Sequence, residues 1–199
     1  MKDILRLALV LTLIASAAGL VLSAVEKVTR EPIAEQRRLE MLRAIEAVLP
    51  DFNNEPDTDT VELKVGTDRK GEDVMRRFFR GRLGDALTGV AFKVVAPDGY
   101  SGDIEIMVGV RPDGTVNAIE ILNHAETPGL GDKIEEGWFK NQFSDKTLRN
   151  VDWRVKKDGG DFDQIAGATI SPRAVVEAVH RGLEFFNKHR RTIVSGGGE

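Results

Sequence analysis

The sequence predicts an α+β architecture: one N-terminal membrane-spanning helix, then a soluble domain with helices packed on a small, mainly antiparallel sheet. Three observations carry this. Residues 7–25 form an uncharged run of 19 residues. Residues 103–110 alternate, with Ile104, Ile106, Val108 and Val110 on one face, and a Pro-Gly turn and a second strand-like run at 115–122 complete a hairpin. Residues 172–188 repeat apolar side chains at helical spacing. Such a mixture of sheet and helices, without regular βαβ alternation, indicates an α+β layer arrangement.

The first run reads LALVLTLIASAAGLVLSAV. At about 1.5 Å per residue it covers roughly 30 Å, the thickness of a bilayer core. Ala15, Ser16, Ala17, Ala18 and Gly19 cluster within it and allow a partner helix to come close. Lys2 and Arg6 resemble the charged start of a cleaved leader, but the apolar run exceeds a leader's usual length, which favours a retained anchor. Charge leaves the orientation open. Lys27, Arg30, Arg37, Arg38 and Arg43 follow the span, yet the positive-inside rule loses force for large translocated domains.

Pro32 is expected to end or kink the anchor helix. Residues 33–49 read as an amphipathic helix with Ile33, Leu42, Ile45 and Leu49 on one face. The polar run DFNNEPDTDT (51–60) is a connection. The charge-rich stretch 69–82 intersperses both signs, as a solvated face does. VELKV (61–65) and VAFKVVA (90–96) are short strands, and DIEIMVGV (103–110) and TVNAIEIL (115–122) form the hairpin. A short helical stretch is expected over 133–143, and the last helix over 172–188 carries Val175, Val179, Leu183 and Phe186 on one side. SGGGE at the end reads as flexible. The divisions are therefore 1–30 for the N-terminus and anchor, 31–60 for the amphipathic helix and connection, 61–190 for the domain, and 191–199 for a tail.

Composition narrows the chemistry. The 28 Lys+Arg against 32 Asp+Glu give a net charge of −4, which argues against nucleic-acid binding. The absence of cysteine removes disulfides, catalytic thiols and cysteine-held metal clusters. His124, His180 and His189 lack ligand-like spacing, so no metal site is expected.

Two segments remain. NHAETPGLGDK (123–133) links a strand to a helix, with Gly129 and Gly131 permitting unusual backbone angles and close approach of a ligand. Asp132 is placed to cap the helix that follows. Taken alone, this is also what a plain strand-to-helix loop looks like. DQIAGATISPR (163–173) leads into the last helix, with Ser171 as the expected N-cap and Pro172 in the first turn. A helix N-terminus has free N–H groups and partial positive charge, which suit a phosphate, and Thr169 offers a hydroxyl beside it.

In order, GYSGDIEIMVGVRPDGTV, HAETPGLGDKIEEGWFKNQF and DQIAGATISPRAVVEAV resemble the covalent FMN-binding domain family, over roughly residues 89–186. That family occurs in the G subunit of the Rnf complex, an ion-translocating ferredoxin:NAD oxidoreductase, and in the C subunit of the sodium-pumping NADH:quinone oxidoreductase. The short chain is more similar to the former, and the latter is the alternative. The resemblance implies FMN joined by a phosphoester to Thr169, installed by a flavin transferase that uses FAD. Ala166 departs from the Ser or Thr usual at the first position of that motif. Gly167, Ala168, Ile170 and Ser171 around the acceptor, and Glu126, Thr127, Gly129, Leu130, Gly131 and Lys133 in the other signature, are the implied cofactor-binding residues. Lys133 or Arg173 is available to the phosphate, and Trp138, Phe139 and Phe143 either line the ring or belong to the core. No residue is assigned a general acid or base role.

The resemblance further implies an electron-transfer subunit anchored once in the cytoplasmic membrane, its soluble domain on the extracytoplasmic side, working with the other membrane and peripheral components of the complex. A membrane-anchored assembly module without redox function is the reading from another class.

Overall fold

The computed structural model describes residues 1–67 and 71–196. They fall into two compact units, Met1–Met41 and Leu42–Glu199. Helix α1 (Lys2–Val48) makes up the first unit and contributes its last two turns to the second. An 18-residue window within α1 has a mean hydropathy of 2.4 with none of it buried, so the helix is long and apolar enough to cross a membrane. Pro32 lies inside α1, so of the two expected outcomes it does not end the helix. Proline deletes only the bond its own N–H would give to the carbonyl four residues back, and an exposed carbonyl can turn to water instead.

The second unit is built on a five-stranded meander in which every neighbouring pair is antiparallel. Its strands are β1 (Thr60–Thr67), β2 (Asp73–Leu83), β3 (Ala86–Ala96), β4 (Ile104–Val110) and β5 (Val116–Asn123). The register runs Phe78 to Phe92 to Val108 to Ile119. Helices α2 (Gly137–Lys140), α3 (Ile170–Lys188) and α4 (Arg190–Ser195) follow, with short 3₁₀ turns at Gly131–Glu135, Asn141–Phe143 and Lys156–Asp158. The helical stretch expected over 133–143 is therefore broken into three single turns.

One sheet face carries the main core. Phe78, Phe92, Ile106 and Val108 pack there with Val175, Val179, Leu183 and Phe186 of α3. Gly182 lets α3 approach the sheet, since a Cβ there would lie 2.7 Å from Val94 Cγ1. The other face holds a smaller cluster in which Phe79, Ala91 and Met107 meet Ala44, Ile45 and Val48 of α1 and Leu49 beyond it. Gly109 admits the end of α1, because a Cβ would lie 2.0 Å from the Val48 carbonyl oxygen. The Asn117 amide donates to that same carbonyl at 2.9 Å. Of the face read across residues 33–49, Ile45 and Leu49 are buried, whereas Ile33 stays exposed.

Two sequence expectations change. The stretch 69–82 is more than a solvated face: Arg69 and Lys70 lie outside the described residues, and from Asp73 the chain is the long strand β2, exposed at its start and buried at Phe78, Phe79 and Gly81. Adjacent Phe78 and Phe79 anchor it by placing one ring on each covered face. Its arginines find partners from other segments, although Arg80 Nε and Nη1 are buried without a hydrogen-bond partner among the described residues. Arg77 pairs with Glu62 at 2.7 Å, the Arg76 guanidinium lies 5.5 Å from the centre of the Phe185 ring, and Arg80 and Arg82 share Asp59. Likewise the tail expected from residue 191 does not begin there. Helix α4 runs to Ser195 and buries Ile193 completely, while 197–199 lie outside the described residues.

Asp59 ties the loop before β1 to β2. Burial alone would push its carboxyl up, but hydrogen bonds from Arg82 and Arg80, with their charges, outweigh this and hold it below the usual carboxylate range. A depressed folded-state pKa stabilises the fold above the unfolded pKa, and that stability is lost as pH falls through the folded value. Asp59→Asn is expected to cost about 2 kcal/mol at neutral pH. In urea titrations across pH, the gap between variant and wild type should close below about pH 4. A gap constant down to strong acid would contradict the assignment.

Candidate functional site

The two segments singled out in the sequence each form a tight turn with glycine at its third position. In the first, the Leu130 N–H donates to the Thr127 carbonyl at 3.1 Å, and Gly129 has φ +76°. Pro128 supplies the fixed φ of the second position, and a positive φ at the third is the signature of a type II turn. The carboxylate of Asp132 then accepts the Gly129 N–H through Oδ2 at 2.9 Å. Asp132 thus braces the turn before it and does not cap a helix as expected: it sits inside the 3₁₀ turn Gly131–Glu135, which has no side-chain cap. Its other oxygen, Oδ1, is buried without a hydrogen-bond partner among the described residues.

In the second segment, the Ala168 N–H donates to the Ile165 carbonyl at 3.1 Å and Gly167 has φ +80°. Thr169 follows at the start of α3 with helical backbone angles, φ −80° and ψ −25°. It is half-buried, and its hydroxyl makes no capping bond. The first ladder bond of the helix runs from the Arg173 N–H to the Thr169 carbonyl, at 3.4 Å. The N–H groups of Ile170 and Ser171 precede that ladder, and Pro172 needs no donor in the first turn. Ala166 is exposed on the turn, so the fold of the turn does not depend on a hydroxyl there.

Ser171 is a correction. It is not the N-cap that its position suggests: it lies within the first turn of α3, and its buried hydroxyl donates to Glu126 Oε2. The other oxygen of Glu126, Oε1, accepts the Ser101 N–H at 3.0 Å. The carboxylate therefore joins three segments: the turn before β4, the chain leaving β5 and the start of α3. The Glu126 N–H donates to His124 Nδ1 at 3.0 Å, and His124 Nε2 meets Glu135 at 2.9 Å. With Nδ1 accepting, the ring proton belongs on Nε2.

Glycines make this junction possible. A Cβ on Gly131 would lie 2.7 Å from Glu126 Oε2 and 2.8 Å from Ser171 Oγ. A Cβ on Gly99 would lie 2.2 Å from the Gly102 carbonyl oxygen and 2.9 Å from Glu126 Oε1. A Cβ on Gly167 would sit 3.5 Å from Leu130 Cδ2, which sets the two turns side by side.

The fold thus brings together Glu126, Leu130, Gly131, Gly167 and Ser171, with Thr127, Gly129, Ala168, Thr169 and Ile170 on the same two turns. Leu130, whose side chain lies against Gly167, and Ile170, next to Thr169 in the chain, are each 43% exposed. Lys133 is half-buried and forms no ion pair with a described residue. Arg173 is committed elsewhere, since its guanidinium binds both oxygens of Asp158 at 2.7 and 2.9 Å. Phe139 and Phe143 belong to the core, while Trp138 remains 45% exposed. Sequence reasoning missed Gly99, Ser101 and the bracing by Asp132. The run Gly-Tyr-Ser-Gly before β4 is the available signal for the first two.

Gly131→Ala is expected to destabilise the protein by about 1–3 kcal/mol, because its methyl group meets a buried carboxylate and a hydroxyl. Gly137→Ala, with open space around it, should stay within about 0.5 kcal/mol of wild type. Thermal melting of both variants checks this, and equal stabilities would contradict the packing described.

Comparison with known proteins converges on one family. Residues 99–184 match the family model of the FMN-binding domain, and residues 1–48 match that of the RnfG N-terminal region. The G subunit of the ion-translocating oxidoreductase complex of Aliivibrio fischeri is 39% identical over 93% of this chain and 91% of that protein. The protein of the same name from Pseudomonas aeruginosa is 38% identical over 98% of this chain and 94% of its own length. Among solved structures, NqrC of Shewanella oneidensis aligns with a TM-score of 0.51 at 23% identity, covering 70% of this chain and 74% of that one. The C subunit of the Na(+)-translocating NADH-quinone reductase of Parabacteroides distasonis gives 0.52 at 21% identity, covering 73% and 79%. These two support the α+β fold alone. The two turns that meet at the start of α3 lie within the FMN-binding match, the apolar part of α1 lies within the other, and the chain belongs to the RnfG family, the G subunits of ion-translocating oxidoreductase complexes.

Proposed function

We propose that this chain is the flavin-bearing electron carrier of such a complex, holding FMN as a phosphoester on Thr169, with its domain on the extracytoplasmic side of the membrane. The observation that carries the reading is the Thr169 hydroxyl itself. It stands at the N-terminus of a 19-residue helix, unused for capping, directly after the glycine turn 165–168.

The residues present fit the group. The N-terminal end of α3 carries partial positive charge, which offsets the one negative charge a phosphodiester retains. Leu130, on the first of the two turns, and Ile170, next to Thr169 in the chain, expose aliphatic surface suited to a planar aromatic ring. Asp132 Oδ1 is a buried acceptor that lacks a donor among the described residues. Gly129 and Gly167 leave the backbone of both turns uncovered. Lys133 is the cation of the loop without a carboxylate partner among the described residues, whereas Arg173 is held by Asp158.

Attachment needs no general base in this chain. A flavin transferase using FAD would join FMN to the Thr169 oxygen with release of AMP and the hydroxyl proton, and this chain's part would be to present that oxygen at the start of α3. When bound, FMN supplies reversible electron transfer, and the chain's part is to hold it and tune its surroundings. A covalent tether suits a domain outside the cytoplasm, where a lost cofactor is not readily replaced. The uncharged span of α1 has no ionisable residue between 7 and 25, which assigns ion passage to the other components of the complex.

Expressed with a flavin transferase, the chain should give a yellow fluorescent band on denaturing gels, and Thr169→Ala should abolish it. Covalent flavin persisting in the variant would move the attachment elsewhere. For orientation, protease added to intact spheroplasts should digest the domain, while inside-out vesicles should protect it. The reverse pattern would place the domain in the cytoplasm.

A further inference from the structure

We propose that Glu126 acts from the interior as the positioning residue for the start of α3, and that its negative charge lowers the potential of the flavin carried there. This rests on the Thr169 reading above and adds to it a role for a residue that the sequence suggested as a direct ligand.

Glu126 is only 5% exposed, and both its oxygens are filled from within the chain. Oε1 takes the Ser101 N–H and Oε2 the Ser171 hydroxyl. Hydrogen bonds accepted at both oxygens favour the ionised form of a carboxyl group. Ser171 is 1% exposed and stands two residues beyond Thr169, so the bond to Glu126 sets the first helical turn against the loops at 99–102 and 127–131. Gly99 and Gly131 clear the space the carboxylate occupies.

Burying a charge costs more than burying an aliphatic side chain of similar size, so packing alone does not account for an acid here. No cation among the described residues neutralises it. His124 faces its backbone as an acceptor, Arg173 is paired with Asp158, and no described lysine or arginine forms an ion pair with Glu126. Its stabilising partners are one N–H, one hydroxyl and the positive end of α3. In the low dielectric of the interior, such a charge acts over a longer range than one at the surface. A fixed negative charge opposes the arrival of electrons, which lowers the potential of a redox group nearby.

The test uses the full chain, matured with its flavin transferase and purified in detergent. Flavin occupancy is read by intact mass and the midpoint potential by spectroelectrochemical titration. In Glu126→Gln the amide oxygen still accepts the Ser101 N–H, and the Ser171 hydroxyl can rotate to accept from the amide nitrogen, so the geometry survives without the charge. At equal occupancy, its potential should shift in the positive direction, with the reduced-to-oxidised ratio at fixed electrode potential rising several-fold. The double variant Glu126→Gln/Ser171→Ala removes charge and partner together and should shift the same way, which guards against misfolding of the single variant. Ser171→Ala alone keeps the charge and should stay near the wild-type potential while melting earlier. Full occupancy with unmoved potentials in both charge-free variants would overturn the proposal. Absence of covalent flavin from the wild-type protein would instead defeat the Thr169 reading.

Discussion

A single buried carboxylate, that of Glu126, organises the end of the domain where the helix α3 begins. It connects the turn ahead of β4, the segment leaving β5 and the first turn of α3, three pieces far apart in the chain. Buried apolar residues adjoin each of them, Ile104, Ile134 and Ala174 among them, and the carboxylate supplies the polar link between the three. The junction is polar, buried and glycine-lined. That combination makes it intolerant of added atoms, since buried polar groups must keep their partners. It also leaves the Thr169 hydroxyl next to a rigid support without occupying it.

Rigidity at this point has a source in both directions. On one side, α3 is fixed to the sheet by Ala178, Val179, Leu183 and Phe186, with Gly182 allowing close contact. On the other, the segment leading to Thr169 is pinned by buried Phe162 and Ile165. The Asp163 N–H gives a further bond to the Gln142 side chain at 2.6 Å. The turn over 165–168 is thus a short exposed arch between two buried anchors. Such an arch presents a hydroxyl to an enzyme in a defined position, and it keeps a tethered group from wandering far from the helix N-terminus.

Much of this is legible in the sequence, for identifiable reasons. The hairpin of β4 and β5 announces itself because Ile104, Ile106, Val108 and Val110 form an apolar row at every second position of β4, ahead of a Pro-Gly turn. Likewise, the α3 stripe of Val175, Val179, Leu183 and Phe186 follows the helical period. The strand β2 is hidden because arginines and a glycine interrupt it, and their partners, Glu62, Asp59 and the Phe185 ring, come from distant positions that periodicity cannot see. The roles of Ser171 and Asp132 escape for a related reason. Local rules place serine and aspartate at helix starts, but a buried carboxylate 45 positions away claims the Ser171 hydroxyl, and the Gly129 N–H claims Asp132. The resemblance to the FMN-binding family picks out the same pair of segments that the fold brings together. Each is a glycine turn, and the side chain of Leu130 from one lies against Gly167 of the other.

The account turns on which oxygen carries the flavin. Tryptic digestion of the flavin-loaded chain releases residues 158–173, a peptide with two hydroxyl side chains, Thr169 and Ser171. Fragmentation of that peptide should place an increment equal to FMN less one water on Thr169, with Ser171 unmodified. An increment on Ser171, or an unmodified peptide from protein that is fully yellow after denaturation, would contradict it.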